Sequence, residues 1–413
     1  MFNYIRIFVY CMLICFLSLG ADASSGDISG NGATTLGDAI LGLKVECGVE
    51  NIKTYALNNE VNQDNKIGVA DSLYILQCLA KLRSTEDPNA SIIKIPTNYQ
   101  TISQAVSAAK DGDTIEVSGG IYDENVIIDK SIKLIGAGMD STEINGSTVP
   151  GKTPCNDPVL SITGNKVVVA GFKITGGYPG LEIIGENAVI EFNNITNNTS
   201  NEYCPNHSTG GFYAEGLNGL GLVVRGGNCK IRNNLIVKNG ETWDGGGCGI
   251  ETHGANVIIE NNTIVRNSGA NGASCGDGYG ILALYSSGRI INNIIADNDA
   301  WDGDGCNVKG YGIYSVDSDF QVDYNNVWDN DNGGWEVKEM NNYAGAGPGG
   351  HDIAGDPMFA DEDLYRLSSS SPCIDAGAPN YDYSSEPEPN GGRVNIGAYG
   401  NTPHATCAEM PLP

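Results

Sequence analysis

IENNTIVRN, residues 259–267, decides the fold of this chain. It reads aliphatic-x-x-Asn-x-aliphatic-x-x-Asn, and the pattern returns as IEFNNITNN (190–198), IRNNLIVKN (231–239), IINNIIADN (290–298) and VDYNNVWDN (322–330). Counted between Asn193, Asn234, Asn262, Asn293 and Asn325, the copies stand 41, 28, 31 and 32 residues apart. That interval suits one coil of a parallel β-helix whose loops vary in length. The aliphatics point inward and stack on their copies in adjacent coils, about 4.8 Å away. The asparagines occupy corners, each donating its side-chain amide to the next, a ladder of the kind stacked strands form elsewhere. VAGFKITGG (169–177) is an earlier, degenerate copy with Phe172 and Gly177 in the asparagine places.

A second strand type follows each of the first four copies: GLVVR (221–225), GIETH (249–253), GILAL (280–284) and GIYSV (312–316). Leu222, Ile250, Ile281 and Ile313 form one inward column. Alternation sends Val223, Glu251, Leu282 and Tyr314 outward, and likewise Arg225, His253, Leu284 and Val316. Ahead of the coils, Thr101 to Ala109 has helical spacing at Ile102, Ala105, Val106 and Ala109, and is expected to cap the open end of the solenoid.

Composition agrees with a turn-rich β protein: 56 glycines in 413 residues, with aromatics at only 8%. The net charge of −27 excludes nucleic acid as a partner and favours hard cations such as Ca²⁺. Residues 1–23 read as a signal peptide. Arg6 precedes an apolar run, Ile7 to Leu19, and Ala21-Asp22-Ala23 offers a small-x-small cleavage site. The run is too short for a comfortable membrane span, so a secreted, extracellular protein is expected. Ten cysteines then remain, an even number that points to disulfides.

Residues 27–38, DISGNGATTLGD, place Asp27, Ser29, Asn31, Thr35 and Asp38 at the side-chain liganding positions of an EF-hand-type loop. Residues 60–71, EVNQDNKIGVAD, repeat the phase with Glu60, Asn62, Asp64 and Asp71. Each loop runs into an amphipathic helical pattern, the first through Leu36, Ile40 and Leu43. This pair resembles a dockerin over about residues 24–83. The resemblance implies Ca²⁺ binding and a cohesin-type partner protein; a Ca²⁺-stapled spacer is the alternative. STEDPNA, 84–90, is a linker.

The coils, the opening GDTIEVSGGIYDENVII and the ending DPMFADEDLYRLSSSSPCIDAGAP…RVNIGAYG resemble secreted right-handed parallel β-helix proteins of the pectate-lyase-like superfamily. The resemblance spans about residues 91–400 and leaves 401–413 as a tail. It implies an all-β solenoid that handles anionic polysaccharide through bound calcium. Lyases of this fold use Lys or Arg as a base, with Ca²⁺ acidifying the C5 proton of a uronate. Lys238 and Arg266, successive members of the column Asn197, Lys238, Arg266, Asp297, Asp329, are candidates, provided that an anion or Asp297 offsets their repulsion. Arg225, Glu251 and His253 are the second candidate group, for acid–base work. Trp243 and Trp301 of WDGGGC and WDGDGC, with Tyr203, Tyr213 and Tyr314, would contact sugar rings. Asp244, Asp277, Asp302 and Asp304 would hold Ca²⁺. The catalytic signatures of pectinesterases and pectate lyases are missing. Two readings stay open: a polysaccharide lyase, hydrolase or epimerase, or a non-catalytic glycan-binding, adhesion or surface protein. Cys275 is expected to pair with Cys306, Cys155 with Cys204, Cys229 with Cys248, Cys373 with Cys407, and Cys47 with Cys78.

Overall fold

Three short strands and three corners make one turn of this chain, and the turn repeats eight times. The computed structural model describes residues 21–22, 33–34, 36–46, 72, 90–147, 157–199, 217–240, 246–267, 278–300, 310–330 and 342–408. Two units are distinguished, residues 1–91 and 92–413. In the first, strand Ala21–Asp22 pairs antiparallel with Ala33–Thr34, and helix Leu36–Glu46 follows.

In the second unit, coil 1 consists of Thr114–Val117, Gly120–Tyr122 and Val126–Ile128; coil 8 ends with Asp319–Asp323, Asn326–Trp328 and Tyr343–Ala344. Corresponding strands pair in parallel into three sheets, and Ile92–Ile95 adds a ninth strand to the first. This is a parallel β-helix. Leu222, Ile250, Ile281 and Ile313 face one another across the third sheet, and all are fully buried. Ile236, Ile264, Ile295 and Val327 do the same in the second sheet.

The asparagines explain why the coils stay in register. At coils 3 to 8 the corner from first to second sheet has two residues. At coils 5 to 7 the leading one, Asn233, Asn261 or Asn292, adopts the left-handed conformation at φ 52, 53 and 57°, a region asparagine enters more readily than most residues. The trailing one points inward. Asn193, Asn234, Asn262, Asn293 and Asn325 donate Nδ2 to the next Oδ1 at 3.0–3.2 Å, and Asn325 ends the series on Asp352. A second ladder climbs the next corner through Asn198, Asn239, Asn267, Asn298 and Asn330, ending on Asn342. Each ladder Oδ1 also accepts a backbone N–H, as at Asn234 and Asn239 to Asn262 and Asn267. All ten are 0% exposed, so their polar groups are satisfied by each other and by main chain rather than by water. The degenerate copy enters as expected: Phe172 N–H bonds Asn193 and Gly177 N–H bonds Asn198. Glycine recurs inside the third-sheet strands because the neighbouring aliphatic side chain and the adjacent coil's backbone leave no room beside it. A Cβ at Gly280 would lie 2.5 Å from Ile295 Cγ2 and 2.6 Å from the Gly312 carbonyl.

Helix Ile102–Ala108 lies at the start of the solenoid, with Ile102, Ala105 and Val106 buried in its core. Both ends are capped by charge. The Glu124 carboxylate accepts the N–H groups of Ile102 and Ser103 at 2.8 and 2.9 Å. Lys130 Nζ donates to the carbonyls of Val106, Ser107 and Ala109 at 2.7–2.9 Å. Each charge complements the helix dipole and satisfies groups the helix itself leaves unpaired.

The sequence predicts a solenoid running to residue 400; the strands instead end at Tyr343–Ala344, and the chain then folds back as a strap over the second sheet. The outward face of that sheet changes character along its length. Glu143, Lys173 and Asn194 give way in register to Leu235, Thr263 and Ile294, and Val237, Val265 and Ala296 stand beside them. The apolar part is covered by Tyr365, Leu367, Cys373, Ile396 and Ala398 of the strap. The leading asparagines of the corners hold it: Asn233 Nδ2 donates to the carbonyls of Ala398 and Gly400, Asn261 Nδ2 to that of Asn395, and Asn292 Oδ1 accepts Ala378 N–H. An Asn-Asn pair thus faces both ways, one side chain into the ladder and one onto the strap.

Two predicted disulfides are absent. Cys229 and Cys248 are free because they belong to different layers: Cys229 lies in the central core, and Cys248 packs outside the third sheet with Tyr178, Leu220 and Tyr279. Cys373 is free beneath the strap, its Sγ 2.9 Å from Asn326 Nδ2, while Cys407 Sγ lies 3.4 Å from the Pro387 carbonyl. Cys47, Cys78, Cys155, Cys204, Cys275 and Cys306 lie outside the described residues.

Candidate active site

The third sheet turns one column inward, so its alternate residues form an outer face. Register places Glu182, Val223, Glu251, Leu282 and Tyr314 in one outward row, and Arg225, His253, Leu284 and Val316 in the next. The alternation expected from GIETH and its copies therefore holds. Exposure does not follow from it: Glu251 is 0% exposed, and Val223 and Leu282 are buried too. The expectation of an open surface group at Arg225, Glu251 and His253 is corrected to a sunken one.

Within it, Glu251 Oε1 contacts His253 Nε2, and Glu251 Oε2 has no hydrogen-bond partner. With Glu251 Oε1 as the hydrogen-bond acceptor, Nε2 is the ring's donor and Nδ1 its acceptor. One strand away in direct register, Arg225 Nε donates to Glu182 Oε1 at 2.9 Å. The side chains of Glu182, Arg225 and His253 keep 18–20% of their surface exposed. A buried carboxylate thus orients an imidazole whose edge reaches solvent, and a guanidinium stands beside it. That is the makeup of a general base with a neighbouring cation to steady an anion.

Further along the same face, Tyr279, Tyr311 and Tyr314 stack, with ring centroids 5.2–6.4 Å apart. Tyr311 and Tyr314 keep part of their rings exposed, the arrangement a flat apolar ring face can meet. Cys248 belongs to this layer, but burial, and secondly the Glu251 carboxylate, push its thiol well up, so it is not a nucleophile.

Lys238 and Arg266 occupy another place. They lead the second-ladder corner in the left-handed conformation, both at φ 57°, whereas Arg225 and His253 end their third-sheet strands. Arg266 donates through both Nη atoms to Glu362 at 3.2 and 3.3 Å and lies 3.9 Å from Asp297. Asp297 was the compensating anion expected from sequence. Glu362, from the strap, is the larger one and was missed, because 96 residues separate it from Arg266. Hydrogen bonding to Glu362 raises the Arg266 pKa, and the same contact, followed by the charges of Arg266 and Lys238, lowers that of Glu362. A guanidinium held in this fork is a poor base.

Of the remaining predicted residues, Tyr203, Tyr213, Trp243, Asp244, Asp277, Trp301, Asp302 and Asp304 lie outside the described residues. They belong to the segments between second-sheet and third-sheet strands. So do Asp27, Ser29, Asn31, Thr35, Glu60, Asn62, Asp64 and Asp71 of the N-terminal loops lie outside them. Asp38 is described, buried in the first turn of helix Leu36–Glu46. Among the described residues no group of three or more acidic, His or Cys side chains could hold a metal ion, and no helix is long and apolar enough to cross a membrane.

Residues 132–344, more than half of the chain, match the family described as the right handed beta helix region. No curated protein matches the sequence. Among solved structures, the chain is similar to pectate lyase Pel9A, at 15% identity and a TM-score of 0.42, over 75% of this chain and 96% of that one. It is similar to the PL6 family alginate lyase AlyGC at 16% identity and a TM-score of 0.37, over 68% of this chain and 42% of the lyase. A pectin methylesterase from carrot aligns at 15% identity and a TM-score of 0.32, over 58% and 84%. Identities this low say nothing about chemistry.

Proposed function

Because this chain belongs to the right-handed β-helix family, whose long axis presents an extended surface to a polymer, we propose that it is a secreted, polysaccharide-directed protein and that the polymer lies along the outer face of the third sheet. The observation that carries this reading is the Glu251–His253 pair beside the Arg225–Glu182 pair, continuing into the Tyr279, Tyr311 and Tyr314 stack. On a uronate polymer, His253 Nδ1 takes the proton from C5 while Arg225 faces the sugar carboxylate. The electron pair of the broken C5–H bond forms a C4–C5 double bond, and the C4–O4 bond breaks with its electrons on the leaving oxygen. Glu251 holds the ring throughout and acts as a positioning residue. Ca²⁺, where bound, would neutralise sugar carboxylates; the acidic residues Asp244, Asp277, Asp302 and Asp304 are its proposed holders. Lys238 and Arg266 are proposed to contact the polymer at the corner, ahead of the tyrosines.

His253→Ala should lower lyase turnover on polygalacturonate or alginate by at least about 100-fold, the usual scale of general-base loss, read as absorbance of unsaturated products. Replacing Lys238 and Arg266 with Ala together should cost less. Unchanged turnover in the His253 variant sinks the assignment. The non-catalytic reading is favoured by the complete burial of Glu251 beside a tyrosine stack of which Tyr311 and Tyr314 are partly exposed. It predicts that the parent releases no unsaturated product, yet loses glycan binding when Tyr311 and Tyr314 become Ala.

For residues 24–83 we propose a dockerin-like Ca²⁺ module that recruits a cohesin-type partner. Asp38 lies in the first turn of helix Leu36–Glu46, where the last ligand of a loop that leads into a helix is placed. Adding Ca²⁺ to the metal-stripped full chain should increase helical circular dichroism and release binding heat. An unchanged spectrum with no heat would remove the module from the reading.

A further inference from the structure

We propose that the outward face of the second sheet at coils 2 to 4 holds a separate binding site for a neutral pyranose ring. A cleft of about 310 Å³ opens there, lined by Glu143, Asn145, Lys173, Thr175 and Asn197. It exists for two reasons in the fold. The strap covers this sheet from Leu235 onward, and among the described residues it leaves the polar stretch before that uncovered. Gly176 forms part of the lining at φ 77°, and a Cβ there would lie 2.7 Å from Asn145 Oδ1, which turns to bind Ser147 N–H and Oγ.

The lining sets the ligand class. Lys173 Nζ and Glu143 Oε2 are paired at 3.0 Å, so their charges cancel and neither a free anion nor a cation is favoured. What remains is a mixed set of amide, hydroxyl, ammonium and carboxylate groups on adjacent strands, the donors and acceptors that vicinal hydroxyls satisfy. Beside Lys173 in register stands Asn194, 9% exposed; the lining residues, not Asn194, are the groups a sugar would meet. The pocket lies around a corner from the third-sheet face, so it would grip a neutral branch or a neighbouring chain rather than the bond being cleaved. The site's role rests on the polysaccharide reading, although its geometry does not.

The test is a printed array of neutral and uronate oligosaccharides probed with the full chain, with Lys173→Ala, with Thr175→Trp to fill the cleft, and with His253→Ala. Neutral glycans should bind the parent and the His253 variant equally, and binding should fall at least tenfold in both cleft variants. A parent that binds uronates alone, or no neutral glycan, overturns the site. So does a correctly folded Lys173→Ala chain that binds as the parent does. A parent that binds neutral glycans but neither binds nor cleaves uronates counts against the third-sheet reading alone.

Discussion

Asn262→Ala should lower the stability of the solenoid by roughly 3–5 kcal/mol, whereas Asn261→Ala, one residue earlier, should cost only about 1 kcal/mol. Asn262 donates to Asn293 Oδ1 at 3.0 Å and to the carbonyls of Ile231 and Glu260 at 2.8 and 3.1 Å. Its Oδ1 accepts both N–H and Nδ2 of Asn234 at 3.0 Å. Truncation leaves these partners buried and unpaired in a site that water does not reach, and each orphan costs about 1–3 kcal/mol before relaxation. Asn261 makes a single side-chain donation to the strap, at 3.1 Å. Asn262→Asp should be worse than Ala, since it replaces a donor by an acceptor and adds a buried charge between acceptors. Urea midpoints of the three variants decide the matter. Equal midpoints for the Asn261 and Asn262 variants would mean that the ladder is ornament rather than frame.

Removing residues 357–413 should leave a chain that cannot be recovered as a soluble monomer. The cut keeps Asp352 as the end of the first ladder but uncovers Leu235, Val237, Val265, Ile294 and Ala296, now 0–2% exposed. At about 1.5–3 kcal/mol for each larger side chain, the loss is on the order of 10 kcal/mol, comparable to the whole net stability of a folded protein. The exposed side chains would form a contiguous apolar strip, which drives association. Size-exclusion chromatography of the truncated chain is the measurement. A monodisperse peak with the parental melting temperature would show that the strap is dispensable.

The coils were legible in the sequence because the ladder demands one residue type at fixed offsets, and Ile259, Asn262, Ile264 and Asn267 meet that demand in order. Alternation likewise gave the directions of Glu251 and His253. Their burial was not legible, since it depends on what packs over the third sheet and not on the strand itself. The strap escaped notice for a related reason. It has no period, and its anchors on Asn233 and Asn261 join residues 134 to 167 positions apart. The composition did carry one signal: the outward positions Leu235, Ile294 and Val265 are aliphatic where a solvated face would be polar. Cys229 and Cys248, paired by count and secretory context, are kept apart by layers that spacing cannot reveal.

Nine strand-to-strand corners at coils 4 to 8 that join the first sheet to the second, or the third to the first, all have two residues, as in Arg232 to Leu235 and His253 to Asn256. The corner between second and third sheets obeys no such limit: Val237 to Gly246 and Ala296 to Gly310 differ in length, and Thr196 to Leu217 is longer still. Within these coils, descendants of this gene are therefore freer to gain or lose codons along that one edge of the solenoid than at its tight corners, since an added residue at a tight corner would flip every side chain of the following strand. Those permitted insertions all enter the strands that carry Arg225, His253 and Tyr314, so changes of ligand can accumulate by indels while the ladders stay untouched.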